Sequence, residues 1–524
     1  MTIVRKRPRA SAARDMLPPV TISGRLLPTA ATCLAAAAAT LGAQLPAGDA
    51  ASAAAGTGRL AEVAVQASPA TGAARAAAPR RNVLLITADD MSIGDLRFMP
   101  HTKSMLVRQG LTLTDAVAPT PICVPARASL LTGQYAHNHG ALTISGEGGG
   151  FAAFRDRNTL PVWLRRAGYD TFFAGKYLNG YGVRNRRYVP PGWSQWRGSI
   201  DPSTYAIVNT NYNVNGRVRF DRRHNSDVLR DFSRAFIGSR AGRTRPWFMW
   251  VNYVAPHHGG RTESDDPRGF KTTLPAARHR NDLRRVKLPR DPDLFVSDNS
   301  MWNADRDLSE RRRAVREVYQ QRLESLRSVD EAVRGTLRRL REIGQLRNTY
   351  VVLTSDNGYL TGHHNRIGKL APYNRSLRIP VVVRGPGIPV DARSSTPTTN
   401  PDLAVTIAGI AGAETGRVVD GVDMLPYWRS SRSWRRVVPI EGYPVDGATH
   451  RKYSGIRFGR YTYSRNRGGR EALFDRKTHP GETRDVSRSA AYADVMERMR
   501  AWDRRYRDCR GATCPKQETF VEAR

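Results

Sequence analysis

Four short and almost uninterrupted apolar runs set the tightest limit on how this chain can fold. They are Val83-Leu84-Leu85-Ile86-Thr87, Thr171-Phe172-Phe173, Trp247-Phe248-Met249-Trp250-Val251 and Tyr350-Val351-Val352-Leu353-Thr354. A strand with one wet face alternates apolar and polar residues, whereas a run without alternation has apolar neighbours on both faces. Such runs predict an α/β fold with a mostly parallel central sheet sandwiched by helices. Between the third and fourth runs, Val315, Val318, Leu323, Leu326, Val329, Val333, Leu337 and Leu340 recur at three- to five-residue steps. That spacing predicts an amphipathic helix, which Gly344 stops.

Polar groups follow every run: Asp89-Asp90, Gly175-Lys176, His257-His258 and Asp356-Asn357-Gly358. One such group is ordinarily a turn or a helix cap, and Asp-Asn-Gly is a common turn. Four together predict a site, because ligands of open α/β sheets gather at the carboxyl ends of the strands. Asp89, Asp90, Asp356 and Asn357 offer the hard oxygen ligands that suit Ca²⁺ or Mg²⁺. Lys176, Lys369 and Arg127 can balance the charge of an oxyanion. Lysine is scarce here, with nine against 74 arginines, so two lysines that each sit beside a glycine at a strand or loop end stand out. His257 suits proton donation to a leaving group, or a hydrogen bond to an ester oxygen.

Cys123 lies far from the other cysteines, Cys33, Cys509 and Cys514. It precedes an apolar helical run with Pro125 near the first turn, where a missing N–H costs nothing. A helix N-terminus gathers anions, and Arg127 adds a planar fork for oxyanions. The plain alternative is a buried structural thiol. The pattern Cys123-Val124-Pro125-Ala126-Arg127, followed by Leu131-Thr132-Gly133, resembles the signature of the type I sulfatases. In that family the cysteine is oxidised to formylglycine by a formylglycine-generating enzyme, and the hydrated aldehyde is the nucleophile.

Other segments carry the same resemblance over roughly residues 80–480. Asn82 to Asp90 is similar to the opening strand and metal-binding aspartate pair, Gly175-Lys176-Tyr177-Leu178-Asn179 to the lysine motif, and Ala255-Pro256-His257 to the histidine motif. Ser355-Asp356-Asn357-Gly358 through Gly368-Lys369 resembles the second metal motif with its lysine, and Arg384-Gly385-Pro386-Gly387 the strand that follows. The resemblance implies an alkaline phosphatase-like fold. It also implies a catalytic set of Cys123, Arg127, Lys176, His257 and Lys369, and a Ca²⁺ (or Mg²⁺) held by Asp89, Asp90, modified Cys123, Asp356 and Asn357. One hydroxyl of the hydrated aldehyde would attack sulfur, the alcohol would leave with help from His257, and the second hydroxyl would expel sulfate.

Two positions depart from the family pattern. Ala126 stands where serine is commonest, and Leu178 where many arylsulfatases have histidine, so that contact is either missing or taken by Asn179. Lys176-Tyr177-Leu178-Asn179 and Tyr135-Ala136-His137-Asn138-His139 look more like the N-acetylglucosamine-6-sulfatase branch. The expected activity is therefore removal of sulfate from a sulfated glycan or another sulfate ester. A phosphate or phosphonate ester hydrolase of the same fold is one alternative, since the same cations suit any tetrahedral oxyanion. A non-catalytic polyanion-binding protein is another.

At the N-terminus a basic stretch (Arg5, Lys6, Arg7, Arg9, Arg14, Arg25) leads into an apolar, small-residue stretch from Leu26 to Leu45. This pattern predicts a secretory signal over residues 1–50 and export to the cell envelope or beyond. The stretch is too alanine-rich and interrupted for a stable membrane span. Residues 51–80 read as a disordered linker, 81–422 as the catalytic domain, and 423–524 as a smaller α+β domain on a short antiparallel sheet. That domain carries hairpin-like patterns at Tyr453–Arg457 and Tyr461–Tyr463 and a terminal helix near Ala490–Arg505. Cys509 and Cys514 are spaced to close a local loop through a disulfide, which an oxidising compartment allows, with free thiols as the alternative. The net charge is +36, of which about +32 lies beyond residue 50. Because the excess is arginine spread along the chain without a basic block, it predicts a basic solvated surface rather than a nucleic-acid partner, with attraction of sulfated polyanions second. The irregular segment from Gly259 to about Asp307 is either a surface excursion or a wall of the site.

Overall fold

The computed structural model describes residues 80–297, 311–430 and 433–516. The expected signal segment lies outside these residues, as does the expected linker apart from Arg80. At the centre is a ten-stranded mixed sheet. Its order is Ala392–Ser394, Leu111–Leu113, Val381–Arg384, Thr349–Ser355, Asn82–Ala88, Trp247–Tyr253, Asp170–Gly175, Gln195–Ser199, Thr210–Val214 and Arg217–Asp221. The five strands from Thr349–Ser355 to Gln195–Ser199 run parallel. The four apolar runs are four adjacent members of that parallel core.

Their lack of alternation has the expected cause. Val83 and Leu85 enter one apolar cluster with Phe248, Trp250, Tyr350 and Val352. Leu84 and Ile86 enter the opposite one with Met249, Val251, Val351 and Leu353. The first cluster is closed by the helices Cys123–Thr132, Leu160–Arg166 and Asn400–Ala411. The second is closed by Asn225–Gly238 and by Arg312–Glu342. The latter is the 31-residue helix expected from the periodicity, and it ends at Ile343 with Gly344 in a left-handed turn. With each buried Leu or Ile contributing roughly 1.5–3 kcal/mol, the two clusters hold the strand ends in a fixed frame.

A second, four-stranded antiparallel sheet runs Val438–Gly442, Tyr453–Phe458, Tyr461–Asn466 and Glu471–Asp475. Its alternation is of the half-and-half kind. Ile456, Phe458, Tyr461, Tyr463 and Leu473 pack under the helix Ala493–Tyr506, through Val495, Met496, Met499 and Trp502. Val438, Ile440, Tyr453, Ala472 and Phe474 pack against Val117, Leu360, Tyr373 and Leu377. Cys509 and Cys514 are bridged, and the loop they close packs in the first of these clusters. Among the described residues no helix is long and apolar enough to cross a membrane.

Candidate active site

The carboxyl ends of the parallel strands carry the polar groups toward one point. Asp89 and Asp90 follow the Asn82–Ala88 strand, Lys176 follows Asp170–Gly175, and Asp356 and Asn357 follow Thr349–Ser355. Gly175 is required where it stands: a Cβ there would lie 2.0 Å from the Asn252 carbonyl oxygen, and its φ is +101°. Asp90 has φ +66°, a left-handed conformation that aspartate tolerates better than most residues. Its N–H donates to Asp356 Oδ1 at 3.1 Å, and its carbonyl accepts from Arg322 Nη2 at 2.6 Å. Ser355 ties the two loops together, its Oγ donating to the Ala88 carbonyl at 2.8 Å and accepting from the Met91 N–H at 2.9 Å.

The helix Cys123–Thr132 is buried along its whole length and stops at Gly133, which takes a left-handed cap at φ +67°. It delivers Cys123 and Arg127 to the same point. Cys123 Sγ is 3.6 Å from Asp89 Oδ1 and 2.9 Å from Lys369 Nζ. Arg127 donates from Nε to Asp356 Oδ2 at 2.9 Å and from Nη1 to the Lys176 carbonyl at 2.8 Å and Asn252 Oδ1 at 3.0 Å. Lys176 Nζ pairs with Asp89 and Lys369 Nζ with Asp90. His257 Nε2 is 3.7 Å from Asp90 Oδ2, and His257 Nδ1 is 2.6 Å from the His258 carbonyl. All nine residues singled out in the sequence therefore converge.

Charge explains how so many ionic groups coexist out of water. Oxygens of Asp89, Asp90 and Asp356 lie within 4.8 Å of one another and are buried. Three cations stand among them, Arg127 and Lys176 buried and Lys369 partly exposed. Burial disfavours the charged form of Asp89, but Lys176, His257 and Arg127 outweigh it and hold the carboxyl well below the usual range. Asp90 is held down in the same way, against burial, chiefly by Lys369. Burial, with some help from Lys176 and Lys369, lowers His257 to about 4 against the pull of Asp89 and Asp90. Its imidazole is neutral at neutral pH, and a neutral ring with Nδ1–H on the His258 carbonyl leaves the lone pair on Nε2.

The donor set fits a hard cation. The three carboxylates supply oxygen only, and the Asn357 amide donates from Nδ2 to Asp90 Oδ1 at 2.6 Å while its Oδ1 is buried without a partner. An orphaned buried acceptor facing a carboxylate cluster is costly unless it meets a cation or a donor.

Above this floor a cavity of about 740 Å³ opens. Cys123, His257 and Lys369 reach it from below, Asn179, Tyr205 and His258 form one wall, and Arg261, Lys271 and Lys452 lie at its rim. Residues 259–262 and 270–272 of the irregular segment line it, so that part of the segment is a wall of the site. Leu178 turns into the apolar core, whereas Asn179 stays at the cavity and donates to the Tyr205 hydroxyl at 2.8 Å. Tyr205, with its ring 4.9 Å from Lys176 Nζ, had no signal in the sequence. Asn252 did have one, as the polar residue directly after the run Trp247–Val251, within the strand Trp247–Tyr253. Tyr135 to His139 do not line the cavity. His137 pairs with Glu441 at 3.1 Å and meets the Cys509 carbonyl at 2.8 Å, and Asn138 donates to Asp420 at 2.8 Å, so this segment staples the Cys123 helix to the second sheet and the disulfide loop.

Burial and then Asp89 push the Cys123 thiol up to about 11. A raised thiol pKa keeps the sulfur protonated through the neutral range. In chelated protein made without modification of Cys123, alkylation by iodoacetamide is expected to be slow at pH 8 and to accelerate tenfold per pH unit toward pH 11. Alkylation at pH 8 as fast as that of free cysteine would contradict the assignment.

A family model described as Sulfatase matches residues 81–413, and one described as N-sulphoglucosamine sulphohydrolase, C-terminal, matches 362–507. The human N-acetylglucosamine-6-sulfatase is 33% identical over 391 residues, covering 69% of this chain and 67% of that protein. An arylsulfatase of Volvox carteri is 32% identical over 369 residues, covering 65% of this chain and 57% of its own. Among solved structures, one determined in complex with its substrate D-glucosamine-2-N,6-O-disulfate superposes with a TM-score of 0.68 at 20% identity, over 81% of this chain and 97% of that one. With strand-end carboxylates, cationic partners and a cysteine-bearing helix in one cavity, and with these matches, the chain belongs to the sulfatase family and is a sulfuric ester hydrolase.

Proposed function

We propose that the enzyme removes a 6-O-sulfate from a sulfated amino-sugar glycan, using a formylglycine made from Cys123 and a divalent cation, Ca²⁺ in preference to Mg²⁺. The observation that carries this reading is the position of Cys123 Sγ, 2.9 Å from Lys369 Nζ and 3.6 Å from Asp89, at the floor of a sugar-sized cavity. Asp89, Asp90, Asp356 and Asn357 would hold the cation, with residue 123 as a further ligand. A cation so held polarises a sulfuryl oxygen and favours the ionised nucleophile. A formylglycine-generating enzyme is the partner required during maturation.

The chain's own residues divide the remaining work. Arg127, fixed by Asp356 and Asn252, sets the position of residue 123 on its helix and keeps positive charge beneath it. Lys176 and Lys369 face residue 123 and are held protonated by the carboxylates despite burial, so both can neutralise charge that develops on the sulfuryl oxygens. One hydroxyl of the hydrated aldehyde forms a bond to sulfur as the bond to the alcohol oxygen breaks. Loss of a proton from the other hydroxyl then expels sulfate and restores the aldehyde. His257, which lines the cavity with Cys123, would serve the leaving group. With Nδ1–H on the His258 carbonyl, Nε2 would donate only as the imidazolium, a form that an anionic substrate beside it would favour.

For the substrate, support comes from the similarity to N-acetylglucosamine-6-sulfatases and from the rim of the cavity. Arg261, Lys271 and Lys452 stand there above Lys369 at the floor, and no carboxylate lines the cavity among the described residues. Four of the nine lysines in the chain, counting Lys176, are gathered here. A small aryl sulfate needs only the floor, whereas an oligosaccharide with further anionic groups can also use Lys271 and Lys452. Export is part of the proposal, supported by the basic-then-apolar start of the chain and by the Cys509–Cys514 bridge, which suits an oxidising compartment. So is the division into a catalytic unit, 81–422, and a smaller unit, 423–524.

Two measurements test this reading. Asp356→Ala or Asp90→Ala is expected to lower turnover about 100-fold or more and to abolish stoichiometric Ca²⁺ binding, read by elemental analysis. Activity lost on chelation should return with Ca²⁺, and full activity in metal-free enzyme would contradict the cation site. Lys271→Ala and Lys452→Ala are each expected to raise KM about two- to fivefold for a 6-O-sulfated amino-sugar oligosaccharide, the range of an exposed ion pair. The effect should fade with added salt, and kcat/KM for a small aryl sulfate should be unchanged. If the aryl ester is preferred and no 6-O-sulfated sugar is cleaved, the substrate assignment fails while the sulfatase family stands.

A further inference from the structure

A second cationic cavity, of about 620 Å³, shares no lining residue with the catalytic one. It lies at the seam between the loop after the Leu111–Leu113 strand and the second sheet, and four arginines line it: Arg378, Arg435, Arg457 and Arg476. Its one lining carboxylate, Asp115, is taken by Arg457 Nη1 at 2.5 Å. The nearby buried Glu482 is also occupied, accepting from Thr462 Oγ1 at 2.9 Å and from the Asn374 N–H at 2.6 Å. Arg378 donates to the Thr114 carbonyl, and Arg476 donates to Thr462 Oγ1 and the Gly459 carbonyl. Among the described residues, neither Arg378 nor Arg476 has an ion pair with a carboxylate.

Three donors on residues of this lining are buried with no acceptor: Arg378 Nε, Arg457 Nε and the indole N–H of Trp434. Each unpaired buried donor is unfavourable, and a positive charge without a counterion more so. Burial and the neighbouring Arg457 accordingly hold Arg476 down to about 9, against the pull of Glu482 and Asp115. An apolar ligand or a cation would worsen this balance. A ligand with several acceptor oxygens and negative charge would answer the orphaned donors and the excess charge together, through charge-assisted hydrogen bonds.

We infer that this cavity binds a tetrahedral oxyanion of the sulfate or phosphate class, either as the free ion or as a sulfate group on a polyanionic chain. The site is independent of the chemistry proposed at Cys123. The test is isothermal titration of the whole enzyme with sodium sulfate, and separately with a size-defined sulfated oligosaccharide. Wild type is expected to show a sulfate site additional to the catalytic one. Arg378→Gln and Arg435→Gln should each weaken that site about tenfold or more, leaving thermal stability and turnover of a small aryl sulfate unchanged within about twofold. Arg435 is exposed at the cavity lip, so its replacement tests the site even if Arg378→Gln does not fold. Tighter binding of the oligosaccharide, lost in the same variants, would assign the site to a chain-borne sulfate, and equal or weaker binding would assign it to the free ion. Wild type with a single site for both ligands, or a second site indifferent to both substitutions, would overturn the inference.

Discussion

Three aspartates, Asp89, Asp90 and Asp356, stand with buried oxygens less than 5 Å apart, and their charge is balanced by three cations, of which Arg127 and Lys176 are buried and Lys369 is partly exposed at the cavity. Arg127 arrives on a helix, Lys176 at the end of the Asp170–Gly175 strand, and Lys369 on a loop after the Asp356 strand. Removing one member leaves an uncompensated buried charge, which costs far more than an exposed pair ever contributes. The parallel core is what makes the arrangement affordable: apolar clusters on both sheet faces fix the strand ends, so the charged groups need not organise themselves. Against this balanced set, a divalent cation would add net positive charge beneath an anionic substrate.

Most of this was legible in the sequence, for a physical reason. Runs such as Tyr350–Thr354 lack alternation because both faces are covered, and polar residues that interrupt them at their carboxyl ends have nowhere to go but the site. The helix Arg312–Glu342 was equally plain, since its apolar stripe repeats over many turns. Residues outside such patterns were not legible. Tyr205 sits in a short turn and reaches Lys176 and His257 only through tertiary placement. Arg322 grips the Asp90 and Pro256 carbonyls from the polar flank of the long helix, where it read as one solvated arginine among many. Arg378, Arg457 and Arg476 were hidden in the same way, by the abundance of arginine itself.

The Tyr135–His139 segment shows how a resemblance can mark a branch without marking a contact. Its His137 and Asn138 join the Cys123 helix to Glu441, Asp420 and the Cys509 carbonyl, and none of its residues lines the cavity. Any effect it has on the chemistry would be indirect, through how the helix is held. Asn179, from the other branch-like motif, does reach the cavity, while Leu178 serves the core. Of the two motifs, only the second bears directly on what the cavity admits.

The most direct test of the whole account is the mass of the peptide containing Cys123, from enzyme purified in a host able to modify it and shown to be active. The account expects that peptide to be about 18 Da lighter than the cysteine form and reactive toward aldehyde reagents, with turnover of a sulfate ester rising in proportion to the modified fraction. Full activity in enzyme whose residue 123 is entirely unmodified cysteine would contradict it.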